Sequence, residues 1–362
     1  MPKRLVVCCD GTWNRPDQLD DGIPAPTNVS KLALAVARED STGTAQLLHY
    51  QPGVGTRRRE RIRGGALGFG LSRNVRECYR FLVETYEPGD ELYLFGFSRG
   101  AYTARSTVGL VRNCGILRAE HGDRIGDAYR LYRARAKRTE PNAIEAQVFR
   151  RMHSHPDADI QFVGVWDTVG SLGIPVDGLR LPVVAKLWSF HDTALSSRVR
   201  HAYHALAIDE RRGPFKPTLW QQQEHATEQT LEQVWFAGVH SDVGGGYRDP
   251  ALSEIPLLWM VDRARACGLA FEPDRLALAS GAVDDELRHV GAHVAPDALG
   301  TLHNSLKGFY LLLQRYQRPL VADGGSVASS AVRRHRERSD YNPPGLSAYL
   351  TTGPVTTVQD SR

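Results

Sequence analysis

The chain has 362 residues, of which 41% are hydrophobic and 24% charged, proportions typical of a globular protein that can bury a core. Its formal net charge of +4 is too small to indicate nucleic acid as a partner. The five cysteines are odd in number and lack a C-x-x-C spacing, which argues against a disulfide framework and against a thiolate zinc site.

The amino-terminal apolar run covers only residues 5–9, which is too short for a signal peptide. No other run approaches the roughly 20 apolar residues of a membrane span. The sequence therefore predicts a protein made in the cytoplasm, and export without a cleavable signal stays open.

Residues 4–9 predict a buried strand, and Asp10, Gly11 and Thr12 begin the polar loop at its carboxyl end. In an open α/β sheet, ligands bind outside the carboxyl ends of the strands. We therefore expect the backbone N–H of Gly11 or Thr12 to serve as an oxyanion donor. A simple Asx turn at Asp10 is the alternative interpretation.

A helix from Asn28 and a strand at 46–50 complete a βαβ crossover. An arginine-rich segment follows, in which Arg57, Arg58 and Arg59 are candidates for binding phosphate or the headgroups of an anionic membrane surface. A solvated loop is the simpler explanation of such a run.

The central motif is the G-x-S-x-G at residues 96–100, between an apolar strand at 92–95 and a helix at 101–111. This order of strand, tight turn and helix is typical of a nucleophile elbow, in which glycines let strand and helix approach. The motif predicts Ser98 as a nucleophile and the N–H of Arg99 as the second oxyanion donor. The alternative is a glycine-rich turn in which Ser98 only caps the helix.

The remaining elements predict an α/β fold with one mostly parallel sheet and helices on both faces. Six strands alternate with helices, and a polar, arginine-rich helical segment at 115–158 is interpreted as an insertion over the site. Further helices are expected at 74–86, at 253–266 and around 284–290, and the later strands at 160–166, 203–208 and 234–239.

We expect one hydrolase domain over residues 1–328. Residues 329–362 are polar, rich in charge and then in proline, serine and threonine, and they show no apolar periodicity. They predict a carboxyl-terminal tail that packs loosely or is disordered.

Acyl transfer through serine needs a base and an acid, which in α/β-hydrolases follow the nucleophile in the order acid, histidine. Asp167 comes directly after the strand next to the nucleophile strand and is the preferred acid. Asp209 lies in an Asp-Glu-Arg-Arg cluster better suited to ion pairs that fix a loop, and Asp242 is a third candidate.

His240 is the preferred base, because it follows a strongly apolar strand and precedes three glycines. His303 lies in a polar turn after the next helices and is the alternative base. A metal site of Asp10, Asp167, His240 and Asp242 is disfavoured, since it would leave Ser98 unexplained. We therefore expect neither a metal nor a cofactor.

Six ordered motifs between residues 4 and 260 carry a family resemblance: DGTWN, YQPGVGT, GDELYLFGFSRGAYTAR, GVWDTVGSLG, AIDERR and VWFAGVHSDVGGGY. The chain resembles the uncharacterised α/β-hydrolase domain family known as domain of unknown function 2235. That family includes the catalytic modules of type VI secretion phospholipase effectors of the first class.

The resemblance implies an α/β-hydrolase fold and a catalytic triad of Ser98, Asp167 and His240. It also implies phospholipase activity in the effector members, and a secretion-system component or an immunity protein as candidate partners.

The predicted function is that of a serine hydrolase cleaving a carboxylic ester through an acyl-enzyme, with a lipid or phospholipid acyl ester as the favoured substrate. One alternative is a non-catalytic α/β-hydrolase scaffold that acts as a binding or membrane-surface module. A thioesterase or a peptidase is another, because the triad does not specify the leaving group.

Overall fold

The computed structural model describes residues 2–12, 14–54, 66–134, 140–169, 194–278, 293–312, 315–320 and 325–360. Within these ranges, none of the helices combines the length and the apolar character needed to cross a bilayer. Arg57, Arg58, Arg59 and the helix predicted around 284–290 lie outside the described residues.

The core of the molecule is an eight-stranded sheet in which all the hydrogen-bonded strand pairs are parallel. The strands are β1 (Arg4–Cys9), β2 (Gln46–Gln51), β3 (Glu91–Phe97), β4 (Ile160–Trp166), β5 (Val199–Ala207), β6 (Thr230–Phe236), β7 (Ser326–Ala328) and β8 (Val355–Thr356). Their order is β8-β7-β6-β5-β4-β3-β1-β2. The chain reverses direction across the sheet after β2, so the topological switch point lies between β1 and β3.

Helices cover both faces of this sheet, as an all-parallel sheet requires. They are α1 (Asn28–Ala35), α2 (Ala66–Thr85), α3 (Arg99–Cys114), α4 (Ile125–Arg133), α5 (Ile144–His153), α6 (His240–Gly244), α7 (Ala251–Ala266), α8 (Ser329–Glu337) and α9 (Leu346–Tyr349). Short 3₁₀ segments occupy Ala119–Arg124, Gly213–Phe215 and Gly308–Leu312, and two-residue strands pair Leu19–Asp20 with Ile23–Pro24 and Ala277–Leu278 with His293–Val294.

The alternation of side chains along the strands divides the core into two layers. Leu94 and Val163 pack with the helices α2 and α3 on one face, whereas Tyr93 and Phe162 pack with α1 and α7 on the other. These four side chains are completely buried. The predicted α/β class with a mostly parallel sheet is confirmed.

Most predicted element bounds differ from the structure by a few residues. The strands at 4–9 and 160–166 match, whereas α2 begins at Ala66, eight residues before the predicted helix. The strand predicted at 234–239 ends at Phe236, and the chain then turns into the short helix α6. The apolar run of that strand therefore continues into the turn that carries His240.

The carboxyl-terminal segment is part of the sheet, so the loose packing predicted for residues 329–362 is wrong. Over residues 329–360, α8 packs beside the sheet and β8 forms its outermost strand next to β7. Tyr341 and Tyr349 are buried, and the Tyr341 hydroxyl donates to Asp209 Oδ2 at 3.0 Å. The segment lacked apolar periodicity because its buried residues belong to several short elements.

The insertion at 115–158 packs along α3. The Cys114 thiol donates to the carbonyl of Ala128 at 3.2 Å, near the start of α4. Near the end of α4, the Tyr132 ring lies so close to Gly109 that an added Cβ there would be 2.9 Å from it. These two contacts show that α4 runs antiparallel to α3. It therefore runs toward the end of α3 that begins beside Ser98, the predicted nucleophile.

Two glycines allow β3 and α3 to meet at the tight turn. A Cβ added to Gly96 would lie 2.5 Å from the carbonyl oxygen of Gly100. A Cβ added to Gly100 would overlap the backbone carbonyl of Cys9 at the end of β1. Neither contact can be relieved by rotating a side chain, because the neighbours are backbone atoms.

We expect Gly100→Ala to lower the free energy of unfolding by about 1–3 kcal/mol or more, because backbone must move to admit the methyl group. Chemical denaturation measures the change. Gly126→Ala is the matched control, since nothing lies within 4 Å of its added Cβ on helix α4. That change should stabilise the protein by about 0.5–1 kcal/mol through helix propensity. Equal effects of the two substitutions would contradict the packing argument.

Candidate active site

Ser98 occupies a strained turn between β3 and α3. Its backbone angles are φ 57° and ψ −119°, a conformation that a non-glycine residue adopts at an energetic cost. Its N–H donates to the carbonyl of Trp166 at 3.0 Å, which ties the turn to β4. Its side chain makes no capping hydrogen bond to α3, so the helix-cap interpretation of this serine is not what the structure contains. The strained turn leaves the hydroxyl available for chemistry.

The loop after β1 lies directly against Ser98. A Cβ added to Gly11 would be 3.3 Å from the Cβ of Ser98. The loop is held by Asp10, whose Oδ1 accepts the N–H of Gly11 at 2.7 Å. Its Oδ2 accepts the hydroxyls of Thr27, Ser30 and Tyr50 at 2.8, 2.9 and 2.6 Å. Of the two predicted oxyanion donors, Gly11 thus has its N–H donated within the loop.

Asp167 and His240 form a buried pair. Nδ1 of His240 is 2.5 Å from Oδ2 of Asp167, and both side chains are almost completely buried. Asp167 follows β4, and His240 begins α6 after β6. The His240 ring lies 4.6 Å from the ring of Phe97, the residue before Ser98, measured between centroids. The turn of Ser98 and the Asp167–His240 pair therefore lie at the same edge of the sheet.

Arg318 holds the other side of the Asp167 carboxylate. Its two Nη atoms lie 2.5 Å from Oδ1 and 2.9 Å from Oδ2 of Asp167. The same guanidinium donates to the carbonyls of Ala207 and Phe215 at 2.8 and 2.7 Å. The Ala207 N–H adds a further bond to Asp167 Oδ1 at 3.1 Å. Oδ1 is thus occupied by donors, and the carboxylate is fixed with Oδ2 toward the imidazole.

The electrostatics of this cluster follow from burial and from the two partners of Asp167. Burial alone would raise the pKa of Asp167, but the charge of Arg318 and the hydrogen bond with His240 outweigh it and hold the pKa below its ordinary value. Burial lowers the pKa of His240, an effect that Asp167 opposes without cancelling. At neutral pH the cluster therefore contains an anionic acid and a neutral imidazole.

The alternative residues form a second pair beside the first. Asp242 Oδ1 lies 2.6 Å from Nδ1 of His303, and its Oδ2 accepts the N–H of Val239 at 2.9 Å and of His303 at 3.2 Å. The ring of Tyr247 stacks on His303 with centroids 4.0 Å apart. These contacts fasten the turn at His303 to the helix that carries His240.

Asp209 and its neighbour Glu210 make structural contacts. Asp209 Oδ2 accepts the N–H of Gly238 at 2.8 Å, and burial raises its pKa to about 6. Glu210 is paired with Arg212 at 2.8 Å, and its Oε2 also accepts the N–H of His240 at 3.3 Å. The ion pair expected in this cluster is present, and it supports the backbone at His240.

The four residues considered for a metal site are each bonded to other protein groups. Asp10 is bonded to hydroxyl groups, Asp167 to Arg318 and His240, and Asp242 to His303. Among the described residues, no group of three or more histidine, cysteine, aspartate or glutamate side chains has the arrangement to hold a metal ion.

Sequence reasoning missed Arg318, Phe215 and Glu210. Arg318 is separated from Asp167 by 151 positions and lies in a segment without periodicity or motif. Phe215 packs edge-on against the His240 ring, with centroids 4.9 Å apart. The guanidinium of Arg212 lies over the Phe215 ring, 3.5 Å from its centroid. The available signal was that Glu210 lies within the AIDERR motif and that Phe215 follows it by three residues.

A parallel sheet covered on both faces, with a serine on a strained turn between its strand and helix at the switch point, is the arrangement of the α/β-hydrolase fold. The model of the family described as "T6SS, Phospholipase effector Tle1-like, catalytic domain" matches residues 3–263. The chain belongs to this family.

The chain is similar to three longer proteins. "Uncharacterized protein YEL023C" of Saccharomyces cerevisiae is 31% identical over 236 residues, covering 59% of this chain and 32% of that protein. An uncharacterised protein from Pseudomonas aeruginosa aligns at 19% identity and TM-score 0.41, over 75% of this chain and 46% of its own. The Tle1 effector bound to the VgrG spike aligns at 18% identity and TM-score 0.36, over 68% and 52%. The chain thus spans about half or less of each of them.

We expect Arg318→Met to lower the free energy of unfolding by about 3–5 kcal/mol, because it leaves a buried carboxylate without its cation. Denaturant unfolding at pH 7 measures the loss. Arg338→Met is the matched control, since Arg338 pairs with Asp340 in an exposed ion pair and its removal should leave stability nearly unchanged. A small effect at both positions would show that the Asp167 cluster does not depend on Arg318.

Proposed function

We propose that this protein is a serine hydrolase that cleaves the carboxylic ester of a lipid or phospholipid through an acyl-enzyme. The observation that carries the proposal is the buried Asp167–His240 pair beside the strained turn of Ser98. Membership in a family of phospholipase effector catalytic domains supports a lipid ester as the substrate class.

In the proposed acylation step, Oγ of Ser98 attacks the carbonyl carbon of the ester while its proton passes to Nε2 of His240. Asp167 accepts the Nδ1–H through Oδ2, which fixes the tautomer and stabilises the imidazolium. The carbonyl oxygen becomes an oxyanion, bound by the N–H groups of Arg99 and Thr12. Arg99 directly follows Ser98 as the first residue of α3, so its N–H lies at the positive end of the helix dipole beside the nucleophile.

Collapse of the tetrahedral intermediate breaks the ester bond, and the alcohol leaves with the proton from His240. Water then attacks the acyl group on Ser98 as His240 takes its proton, and the fatty acid is released with Ser98 regenerated. These steps need only the described side chains and water.

Arg318 acts in this proposal as a positioning residue. It keeps Asp167 ionised and occupies Oδ1, so Oδ2 stays directed at His240. Within the same proposal, Asp242 and His303 keep the turn around His240 in place. Family membership also makes a secretion-system component or an immunity protein a candidate partner.

Hydrolysis of a short-chain p-nitrophenyl ester tests the assignment of nucleophile and base. We expect Ser98→Ala and His240→Ala each to lower kcat/KM by at least about 10⁴-fold, because they act as one unit. His303→Ala should cost less than about tenfold, equivalent to about 1.4 kcal/mol of transition-state stabilisation. If His303→Ala were the inactive variant and His240→Ala the active one, the base would be His303. Full activity of Ser98→Ala would show that the hydrolysis does not use Ser98 as its nucleophile.

The pH dependence of kcat/KM tests the electrostatics of the base. Burial lowers the pKa of His240, and only the neutral imidazole can accept the proton of Ser98. The acidic limb should therefore have its midpoint below about 6.5, the ordinary pKa of histidine. A midpoint clearly above that value would show that the attraction of Asp167 for the imidazolium outweighs burial.

A further inference from the structure

Helix α5 presents a row of exposed apolar side chains. Ile144, Val148 and Met152 are 80%, 49% and 58% exposed. Their spacing of four residues places them on one face of the helix. Ala146 lies on the opposite face and is completely buried. This orientation directs the large apolar side chains of α5 outward, which is unusual for a helix that packs on a domain.

The row continues into a groove between α4 and α5. Val148 and Met152 line this shallow space of about 480 Å³ together with Leu131 and Phe149. Leu131 is buried and Phe149 partly buried, so both are anchored in the molecule. The exposed row and the groove form one continuous surface, which we call the α4–α5 face.

The α4–α5 face extends toward the same edge of the molecule as Ser98. The carbonyl of Ala128, in the first half of α4, accepts from Cys114 at the end of α3, and Tyr132 further along α4 lies against Gly109, so α4 runs back along α3. The hydroxyl of Ser154, directly after α5, donates to the carbonyl of Cys114 at 2.5 Å. Since the first half of α4 and the end of α5 both lie near Cys114 and both helices line one groove, the two helices are antiparallel. The beginning of α5, with Ile144, is therefore displaced toward the Ser98 end of α3.

The segments that form the α4–α5 face carry more arginines than acidic residues, and Asp127 and Glu145 also line the groove. The described residues 124–134 and 140–153 contain five arginines and three acidic residues. The side chains of Arg124 and Arg130 are 46% and 81% exposed, and both pair with the single carboxylate of Asp127. Arg151 is exposed next to Met152. Apolar side chains between exposed arginines match the chemistry of an anionic lipid surface.

We propose that the α4–α5 face docks on an anionic lipid bilayer, with Ile144, Val148 and Met152 entering the acyl region and the arginines at the headgroups. Docking in this way would bring the Ser98 edge of the sheet near the membrane. The inference deepens the proposed lipid hydrolysis, and it adds the surface by which the protein reaches its substrate.

Vesicle sedimentation tests the docking in the full chain carrying Ser98→Ala, so that turnover does not change the vesicles. The vesicles contain either phosphatidylcholine alone or equal parts of phosphatidylcholine and phosphatidylglycerol. We expect binding to the anionic vesicles that weakens as salt is raised. Adding Ile144→Gln, Val148→Gln and Met152→Gln should weaken that binding at least about tenfold, because the apolar burial is lost. Arg130→Gln and Arg151→Gln should each weaken it roughly fivefold.

The matched control changes three apolar residues of similar exposure elsewhere, Leu34→Gln, Leu278→Gln and Val355→Gln, which are 50%, 59% and 50% exposed. It should bind like the parent. Thermal unfolding verifies that each variant is folded. If the triple variant does not fold, the single variant Ile144→Gln replaces it in the binding measurement.

The inference would be overturned if the triple variant bound the anionic vesicles as well as its parent, if the control variant lost as much binding as the triple variant, or if the parent bound neutral vesicles equally well. A parent dimer that the triple variant converts to a monomer would assign this face to contacts between copies.

Turnover separates this inference from the proposed function. With Ser98 intact, the triple glutamine variant should hydrolyse a soluble ester at the parental rate and anionic phospholipid vesicles at least about tenfold more slowly. Absence of soluble-ester hydrolysis in the parent would refute the proposed function and leave vesicle binding to be decided by sedimentation. A parental rate on vesicles would refute the docking alone.

Discussion

A buried carboxylate is costly unless its charge is compensated, and Asp167 is compensated from two sides. Arg318 binds the carboxylate in a bidentate ion pair, and Nδ1 of His240 lies 2.5 Å from its Oδ2. The arginine comes from the segment before β7, the aspartate from the end of β4 and the histidine from α6. This one cluster therefore fixes three distant parts of the chain against each other. It also sets the ionisation on which the proposed acyl transfer depends.

The parallel sheet explains why these parts converge. Carboxyl ends of parallel strands share one edge, and the switch point between β1 and β3 lies at this edge. The loop after β1 packs against Ser98 there, since a Cβ added to Gly11 would lie only 3.3 Å from the Cβ of Ser98. The strain at Ser98 is tolerated because its N–H is bonded to Trp166 and its flanking glycines admit close backbone contacts.

Local patterns in the sequence predicted the parts of the site that lie next to strands. Ser98 has a motif with the right flanks, and Asp167 and His240 follow apolar runs, so each could be placed at the correct edge. The sequence favoured His240 without deciding it against His303, and in the structure each of the two histidines has an aspartate partner. Arg318 was unpredictable, since its role depends on a contact across 151 positions. The tail was misjudged because two-residue strands such as β8 leave no periodic signal.

The proposed chemistry depends on Ser98 being a nucleophile activated within this cluster. Reaction of the purified protein with a fluorophosphonate, followed by mass spectrometry of its peptides, identifies the residue that is modified. We expect one phosphonyl group, on Ser98, and its loss in His240→Ala but not in His303→Ala. Modification of another residue, or no modification of the folded protein with and without added lipid vesicles, would rule out Ser98 as the activated nucleophile.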